Sequence, residues 1–195
     1  GYEKLLMPSK SDRGRVRIIA GEWRSRRLPV IDVPGLRPSG DRSRETLFNW
    51  LQMHLPGSRC VDLFAGTGAL GFEAASRGAV SVTLVESHAR VARHLRDSIE
   101  MLHARQVSLH HGDALSWLGQ QQAESFDIIF VDPPFSDGNE DEVLTAIEQS
   151  GCLAENGFVY LESPASRLEM PGAANWSLWR EKVIGDVRLQ VFRSR

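Results

Sequence analysis

The chain of 195 residues lacks several features that define other protein classes. It has no apolar run near the ~20 residues that a membrane-spanning helix requires. Its two cysteines and six histidines have no spacing typical of a metal site or a catalytic triad. Internal repeats and low-complexity segments are absent from the sequence. We therefore expect one α/β domain with a small appendage, no metal ion and no membrane association.

The cysteine content also bears on the compartment. Cys60 opens an apolar segment, so we expect a buried thiol in a reducing cytoplasm. Residues 1–20 carry scattered charges and no apolar core of signal-peptide length. We expect no secretory leader and a cytoplasmic location.

The net charge of −2 is unevenly distributed. Residues 1–50 contain 11 Lys and Arg against 6 Asp and Glu, whereas the rest of the chain contains 12 against 19. A basic N-terminal part on an acidic body favours a polyanionic partner. A basic segment that is merely solvated explains the same pattern.

The basic N-terminal segment is predicted to form a β-hairpin. Apolar residues are interleaved with basic ones here, and the segments 16–21 and 26–30 would pair around a turn with Trp23 exposed at its tip. Arginines contact phosphates and exposed aromatic side chains stack on bases, so the hairpin could bind RNA. An edge hairpin guarded by its charges is the alternative.

A helix is predicted over residues 46–51, with Ser39 or Asp41 as its N-cap. This helix directly precedes an apolar strand, so its N-terminal loop could fold over the end of that strand. The candidates for the edge of a site there are Arg37, Arg42 and Arg44.

The strand in question, which starts near Val61, leads into Gly66-Thr67-Gly68 and then into an alanine-rich segment of helical period. This pattern predicts a strand, a tight glycine turn and a helix. The glycines permit positive φ and let backbone N–H groups approach a ligand. Ligands of open α/β sheets bind beyond the carboxyl ends of the strands, so this turn is the centre of the candidate site.

Strands and helices alternate after the glycine turn, which implies a parallel sheet. Further strands are predicted over residues 80–85, 106–110, 126–131 and 157–162. They are separated by helices over 90–102 and 140–149 and by a short helix that ends at Leu118. A closing hairpin, formed by residues 177–184 and 187–192, would add an antiparallel strand.

The segment Gly66–Gly71 matches the pattern G-x-G-x-x-G, and Glu86 lies 20 residues beyond its first glycine. Enzymes that use nicotinamide dinucleotides and enzymes that use S-adenosylmethionine both need such a turn and such an acid, so the pattern leaves both open. Asp113, after the next strand, could meet the exocyclic amine of an adenine. This residue favours S-adenosylmethionine.

The tetrapeptide Asp132-Pro133-Pro134-Phe135 follows the most apolar strand. Two prolines stiffen the loop and remove two N–H donors, so hydrogen-bond acceptors dominate there. The carboxylate of Asp132 could accept the hydrogens of an amino group, and Phe135 offers a flat surface for an extruded base. Such a corner suits methyl transfer to an exocyclic amine, by positioning and electrostatics.

These motifs resemble class I S-adenosylmethionine-dependent methyltransferases that act on amino groups of nucleobases. Together with Arg17–Trp23, Arg37-Pro38-Ser39 and Arg44–Asn49, they resemble the RsmD family over residues 15–193. Ser39 stands where that family usually has threonine. The resemblance implies transfer of a methyl group to the N2 amine of a guanine in small-subunit (16S) ribosomal RNA, within an assembled or assembling subunit.

The resemblance also implies the fold and the residue roles. We expect a Rossmann-like fold with a mostly parallel seven-stranded sheet, a C-terminal antiparallel hairpin strand and a small N-terminal β-hairpin. Residues 1–36 would form the basic extension and residues 37–195 the methyltransferase domain, as a monomer. The implied cofactor site comprises Asp62, Phe64, Ala65, Gly66, Thr67, Gly68, Glu86, Asp113 and Ala114. The implied catalytic residues are Asp132, Pro133, Pro134 and Phe135. The implied RNA contacts are Arg17, Trp23, Arg24, Arg26, Arg27, Arg37, Arg42 and Arg44.

Three other functions remain open from the sequence. The first is methylation of adenine N6 or cytosine N4 in DNA or another RNA, although no insertion is large enough for a DNA target-recognition domain. The second is an NAD-dependent oxidoreductase that uses the glycine turn. The third is an RNA-binding assembly factor without catalytic activity.

Overall fold

The computed structural model describes residues 15–36, 40–134, 138–167 and 175–195. The strands within these ranges are β1 (Arg15–Arg17), β2 (Arg27–Pro29), β3 (Arg59–Asp62), β4 (Ser81–Glu86), β5 (Val107–His111), β6 (Phe126–Val131), β7 (Leu153–Pro164), β8 (Trp176–Ile184) and β9 (Val187–Ser194). The helices are α1 (Asp41–Leu51), α2 (Ala69–Ser76), α3 (Ala89–Leu102), α4 (Ala114–Leu118) and α5 (Glu140–Ser150).

Seven strands form one sheet in the order β5-β4-β3-β6-β7-β9-β8. The pairs from β5 to β7 are parallel, and β9 pairs antiparallel with both β7 and β8. The strand order reverses beside β3, because the chain moves outward through β4 and β5 and then returns to β6. The predicted fold, a mostly parallel sheet that ends in an antiparallel hairpin, is confirmed.

The central strands are apolar on both sides because helices cover both faces of the sheet. Along β6, Ile128 and Phe130 pack with residues of α1, α2 and α3, whereas Ile129 and Val131 pack with residues of α4 and α5. Successive side chains of a strand point to opposite faces, so one strand serves two cores. The result is a three-layer α/β/α arrangement whose strand ends meet at one edge.

The N-terminal hairpin is also confirmed, with β1 and β2 paired antiparallel and Val16 opposite Leu28. Its apolar face packs against the same core as α1 and α2. The apolar hairpin residues in that core are Val16, Ile18, Trp23 and Leu28. The proposed division of the chain at residue 36 stays a prediction.

The expectation that Trp23 is exposed at the hairpin tip is wrong. Trp23 is only 5% exposed, and its ring meets that of Phe72 at 6.5 Å in an edge-on arrangement. The turn lies flat on the end of α2, where the backbone N–H of Trp23 donates to the Ser76 hydroxyl at 2.9 Å. Gly21, with φ of +88°, makes this possible, since a Cβ there would lie 1.9 Å from the carbonyl oxygen of Ser76. Trp23 is therefore a packing residue.

The start of α1 differs from the prediction. Gly40 is the N-cap and provides no side-chain cap, while Asp41 lies inside the first turn of the helix. Ser39, the other predicted cap, lies outside the described residues. The carboxylate of Asp41 instead contacts the guanidinium of Arg44, with Oδ1 2.6 Å from Nη2.

Cys60 is a buried free thiol, as expected, and Cys152 is buried and free as well. Burial raises the pKa of Cys60 to about 12, so this thiol is protonated and chemically inert at neutral pH. Among the helices that the structure describes, none has the length and apolar content to cross a membrane.

Replacing Trp23 with alanine should lower the free energy of unfolding by about 3–5 kcal/mol, because a large buried ring leaves a cavity. The neighbouring substitution Arg24→Ala removes an exposed side chain from the same turn and should change stability by less than about 0.5 kcal/mol. Urea unfolding followed by circular dichroism measures both. Equal, small effects would contradict the packing role of Trp23.

Candidate functional site

The glycine turn after β3 adopts a backbone conformation that requires glycine. Gly66 and Gly68 have φ of +55° and +83°. A Cβ at Gly68 would lie 2.5 Å from the ring of Phe72, so a side chain has no room there. Gly68 is the N-cap of α2, and its N–H donates to the carbonyl of Ala65 at 2.7 Å. The turn presents its backbone to the end of the sheet, as the sequence predicts.

Gly71 brings α2 against the sheet. A Cβ at this position would lie 2.3 Å from Cδ2 of Leu84 on β4. The N–H of Gly71 donates to Oδ2 of Asp62 at 3.1 Å. The third glycine of the pattern therefore allows close helix–strand packing and ties α2 to the last residue of β3.

Asp62 is a buried carboxylate at the carboxyl end of β3, and it is 1% exposed. Burial raises the pKa of its side chain to about 7; the N–H groups of Gly71 and Phe64 oppose this rise and the negative charge of Glu86 adds to it. Its Oδ1 is buried and makes no hydrogen bond of regular geometry with the residues that the structure describes. A donor or a cation bound at this end of the strand would satisfy that oxygen.

Glu86 ends β4, the strand next to β3. Its Oε1 accepts a hydrogen bond from the N–H of Gly66 at 3.0 Å, and its Oε2 accepts one from the N–H of His88 at 2.9 Å. These bonds hold the half-buried carboxylate beside the glycine turn. The acid that the sequence places 20 residues beyond Gly66 therefore lies in contact with it.

Asp113 follows β5, one strand further along the sheet. It is the N-cap of α4, and its Oδ2 accepts hydrogen bonds from the N–H and the hydroxyl of Ser116 at 2.9 and 3.2 Å. The side chain of Asp113 is exposed, and both hydrogen bonds are made to its Oδ2. Its Oδ1 can therefore accept a hydrogen bond from a ligand. Ala114, next to it, is buried.

On the other side of β3, strand β6 ends at Val131 and leads into Asp132, Pro133 and Pro134. Asp132 is half-buried, Pro133 is buried and Pro134 is exposed. Neither proline carries an N–H, so this corner offers acceptors. Phe135, the fourth residue of the predicted motif, lies outside the described residues.

These strand ends surround one cleft of about 690 Å³. The predicted site residues that line it are Asp62, Phe64, Ala65, Gly66, Thr67, Glu86, Asp113, Ala114, Asp132, Pro133 and Pro134. Gly68 shapes the turn without lining the cleft. The sheet order separates the acids of β4 and β5 on one side of β3 from Asp132 on the other. Within the described ranges, no group of three or more His, Cys, Asp or Glu side chains could hold a metal ion.

Several residues of the cleft were not identified from the sequence. A strap formed by residues 33–36 covers the glycine turn, and Leu36 lies so close that a Cβ at Gly66 would be 3.1 Å from it. Gly40 and Ser43 also line the cleft, in agreement with the prediction that the segment before α1 folds over this turn. The other polar residues that were missed are Ser87, His88, Asn139, Glu162 and Asp186. Of these, only Glu162 had a usable signal, since it is an acid near the end of a predicted strand.

Most of the predicted RNA-contacting arginines are exposed. They are Arg17, Arg24, Arg26, Arg27 and Arg42. Arg37 lies outside the described residues. The prediction that Arg44 contacts RNA is wrong, because its side chain is 0% exposed and cannot reach RNA. Its Nη1 donates to the carbonyl of Arg17 at 3.0 Å and to Glu73 at 3.4 Å.

The partner of Arg44, Glu73, is a fully buried carboxylate on α2. Its two oxygens accept hydrogen bonds from the N–H groups of Ile19 and Ala20 at 2.8 and 3.1 Å. Arg77, the C-cap of α2, donates to Oε2 at 2.9 Å. The Glu73 network, consisting of these four residues and Arg44, thus joins the N-terminal hairpin, α1 and α2.

A Rossmann-like sheet with a glycine turn after β3, an acid at the end of β4 and an acid–proline corner after β6 defines a methyltransferase fold. The profile of the family described as "Conserved hypothetical protein 95" matches residues 16–193. The chain belongs to this family, the RsmD family that the motifs indicate.

Individual relatives agree over nearly the whole chain. The chain is 44% identical over 189 residues to "Ribosomal RNA small subunit methyltransferase D" of Escherichia coli (strain K12), covering 97% of this chain and 95% of the relative. It is 39% identical over 195 residues to the Haemophilus influenzae protein of the same name, covering 98% and 100%. The solved structure of "Putative methyltransferase yhhF from Escherichia coli" matches with a TM-score of 0.86 and 41% identity, covering 93% of this chain and 98% of that one.

Asp62 should make the stability of the protein depend on pH. Its pKa of about 7 in the folded state exceeds the ~3.9 of an unfolded chain, so the folded protein binds the extra proton between these values. This contribution to stability is complete below pH 4 and is lost as the pH rises through 7. Asp62→Asn should therefore flatten the decline in the free energy of unfolding between pH 5 and 7.5.

Urea unfolding at several pH values measures this decline. The wild-type protein should lose more stability than Asp62→Asn across this range, by a margin of about 1–3 kcal/mol. Asp32→Asn, which changes an exposed carboxylate, serves as the control. Parallel pH profiles for wild type and Asp62→Asn would show that burial does not shift this group.

Proposed function

We propose that this protein transfers the methyl group of S-adenosylmethionine to the exocyclic N2 amine of a guanine in small-subunit (16S) ribosomal RNA. The observation that carries the proposal is the division of one cleft between two sets of strand ends. The acids of β3, β4 and β5 surround the glycine turn, and the acceptor-rich corner after β6 faces them. One half suits a nucleoside cofactor and the other suits an amine.

The residues around the glycine turn fit S-adenosylmethionine. The unsatisfied Oδ1 of Asp62 suits the donors of the methionine part, and the glycine backbone allows close approach. Glu86 would accept from the ribose hydroxyls, and Asp113 from the adenine amine. The cleft volume of about 690 Å³ lies within the ~300–1,000 Å³ range of ligand pockets. When bound, the cofactor supplies a methyl group activated by its sulfonium charge.

The position of Asp62 argues against a nicotinamide dinucleotide. Such cofactors place a pyrophosphate at the N-terminus of the helix after the glycine turn. Here the N–H of Gly71, in the first turn of α2, already donates to the Asp62 carboxylate. A second anion at that helix end would meet an acidic oxygen. This geometry favours the methyltransferase over the oxidoreductase.

The corner after β6 would prepare the amine for attack. The lone pair of a guanine amine is delocalised into the ring, which makes the nitrogen a poor nucleophile. The carboxylate of Asp132 would accept a hydrogen from this amine and favour its pyramidal form, directing the lone pair at the methyl group. Pro133 and Pro134 would hold that acceptor rigidly without offering a competing donor.

The target class follows from the relatives. Two of them, 44% and 39% identical, carry the name ribosomal RNA small subunit methyltransferase D. We extend that target to this chain and place its activity in the cytoplasm, where ribosomal subunits are assembled. The exposed arginines of the hairpin turn and α1 would contact phosphates around the target base.

Asp132→Ala should abolish methyl transfer while leaving cofactor binding intact. We expect a loss of at least about 100-fold in kcat, because the acceptor acts on the reacting amine. The dissociation constant for S-adenosylmethionine should change by less than about twofold, since Asp132 lies on the opposite side of β3 from Glu86 and Asp113.

The measurement uses purified protein, labelled S-adenosylmethionine and small subunits that lack the modification, with nucleoside analysis of the digested RNA. Asp97→Ala, an exposed acid on α3, is the matched control. N2-methylguanine made at the normal rate by Asp132→Ala would remove the catalytic assignment. N6-methyladenine or N4-methylcytosine as the product would change the target, and binding without any transfer would indicate an assembly factor.

The form of the substrate can be tested with the same assay. We expect the folded ribonucleoprotein to present the base, because the chain has little apparatus for reading sequence. Assembled or partly assembled subunits should therefore be methylated faster than naked RNA. Equal rates on naked RNA, protein-bound RNA and complete subunits would refute this expectation.

The exposed arginines of the hairpin turn should contribute salt-dependent affinity. Arg24→Ala should weaken binding of the RNA substrate and reduce the slope of log K against log salt by up to about 0.7–0.9, the range for one lost phosphate contact between a single strand and a duplex. Arg96→Ala, an exposed arginine on α3, is the matched control. Titrations at several salt concentrations measure both slopes. Identical slopes for Arg24→Ala and wild type would exclude this contact.

A further inference from the structure

A second acid lies beside Asp132 at the same end of the sheet. Strand β7 runs parallel to β6, and their register pairs Val131 with Leu161. One residue further along, Asp132 and Glu162 stand next to each other at the carboxyl side of these pairs. Both side chains line the cleft. Glu162 is 7% exposed, so this carboxylate has little contact with bulk water.

Glu162 is held in place by Tyr160. The two residues share a face of β7 because they are two positions apart. The Tyr160 hydroxyl donates to Oε1 of Glu162 at 2.8 Å. Burial, followed by the charges of Glu162 and Asp132, raises the pKa of Tyr160 well above its usual value. The hydroxyl therefore stays protonated and occupies Oε1, which leaves Oε2 as the acceptor for a ligand.

Two adjacent carboxylates match one particular base edge. The Watson–Crick edge of guanine carries donors at N1 and N2 next to each other. Adenine and cytosine instead place an acceptor ring nitrogen beside their amine. A buried carboxylate opposite such an acceptor would leave two acceptors facing each other without a hydrogen, which is costly in a water-excluded site.

We infer that Glu162 accepts the N1–H of the target guanine while Asp132 accepts from its N2 amine, so that Glu162 determines the choice of base. This inference rests on the proposed function and assigns it a residue that selects guanine. Asp186 also lines the cleft, but it is exposed, so water can satisfy it whichever base is present. A cofactor contact is less suitable for Glu162, because β7 lies beyond β6 and away from Glu86 and Asp113.

The test compares guanine with 2-aminopurine at the methylated position of reconstituted small subunits. 2-Aminopurine keeps the reacting amine but has an acceptor at N1 and lacks the O6 oxygen. The wild-type enzyme should prefer guanine by at least about 100-fold in kcat/KM. Glu162→Gln should lower activity on guanine about 10- to 100-fold. It should also reduce the preference for guanine at least tenfold, because an amide can donate to N1 of 2-aminopurine.

Controls separate base selection from a structural role. Glu155→Gln changes an exposed acid at the opposite end of β7 and should leave both rates unchanged. Tyr160→Phe removes the hydroxyl that holds Glu162 but keeps the carboxylate, so it should lower the rate on guanine and retain the preference. The dissociation constant of S-adenosylmethionine for Glu162→Gln should stay within about twofold of wild type, since the change is isosteric.

The outcomes are distinct. If wild type makes no N2-methylguanine on guanine-containing subunits, the proposed function fails. If wild type makes it but Glu162→Gln keeps the wild-type preference for guanine over 2-aminopurine, the function stands and the role of Glu162 is refuted. If Glu162→Gln fails to fold, the preference of the wild-type enzyme for guanine over 2-aminopurine still tests the inference. A preference below about threefold contradicts a carboxylate at N1.

Discussion

The hydrogen bonds to the buried carboxylate of Glu73 hold the N-terminal hairpin, α1 and α2 together. This carboxylate lies on α2, a helix with no exposed residue, and it accepts hydrogen bonds from the hairpin backbone and from two arginines. Removing one partner from such a network leaves a buried charge without compensation, which destabilises proteins strongly. Arg44 joins α1 to this carboxylate, and the N–H groups of Ile19 and Ala20 join the hairpin to it. The elements before and after the strap in the chain are therefore both held against α2.

The cleft itself follows from the parallel arrangement of the strands. Parallel strands end at a common edge, so acids that end separate strands far apart in the chain converge there. Asp62 is deep and holds α2, whereas Glu86 holds the glycine turn. Asp132 and Glu162 lie on the other side of β3, beside two prolines that carry no N–H. The same type of side chain thus lies in different surroundings according to its depth and the strand that carries it.

Local sequence patterns predict much of the fold and of the cleft. The predictions that agree with the structure are the alternation of strands and helices, the glycine turn and the acids after the strands. Each of these features depends on residues near in sequence or on backbone geometry. Trp23 and Arg44 were predicted wrongly for a common reason. Each lies in a basic, partly apolar segment, and its burial depends on α2, where Ser76 and Glu73 are 53 and 29 residues away. No local pattern contains that partner.

The sequence by itself determined the order of the elements, the glycine turn and the identity of the acids at the strand ends, because these follow from propensity, positive φ and side-chain period. Only the tertiary structure decided which charged and aromatic residues are exposed. It turned the hairpin inward, buried Arg44 against Glu73, and set Glu162 beside Asp132 through the register of β6 and β7. Burial and register depend on long-range packing, and one strand-end acid resembles another until its neighbours are fixed.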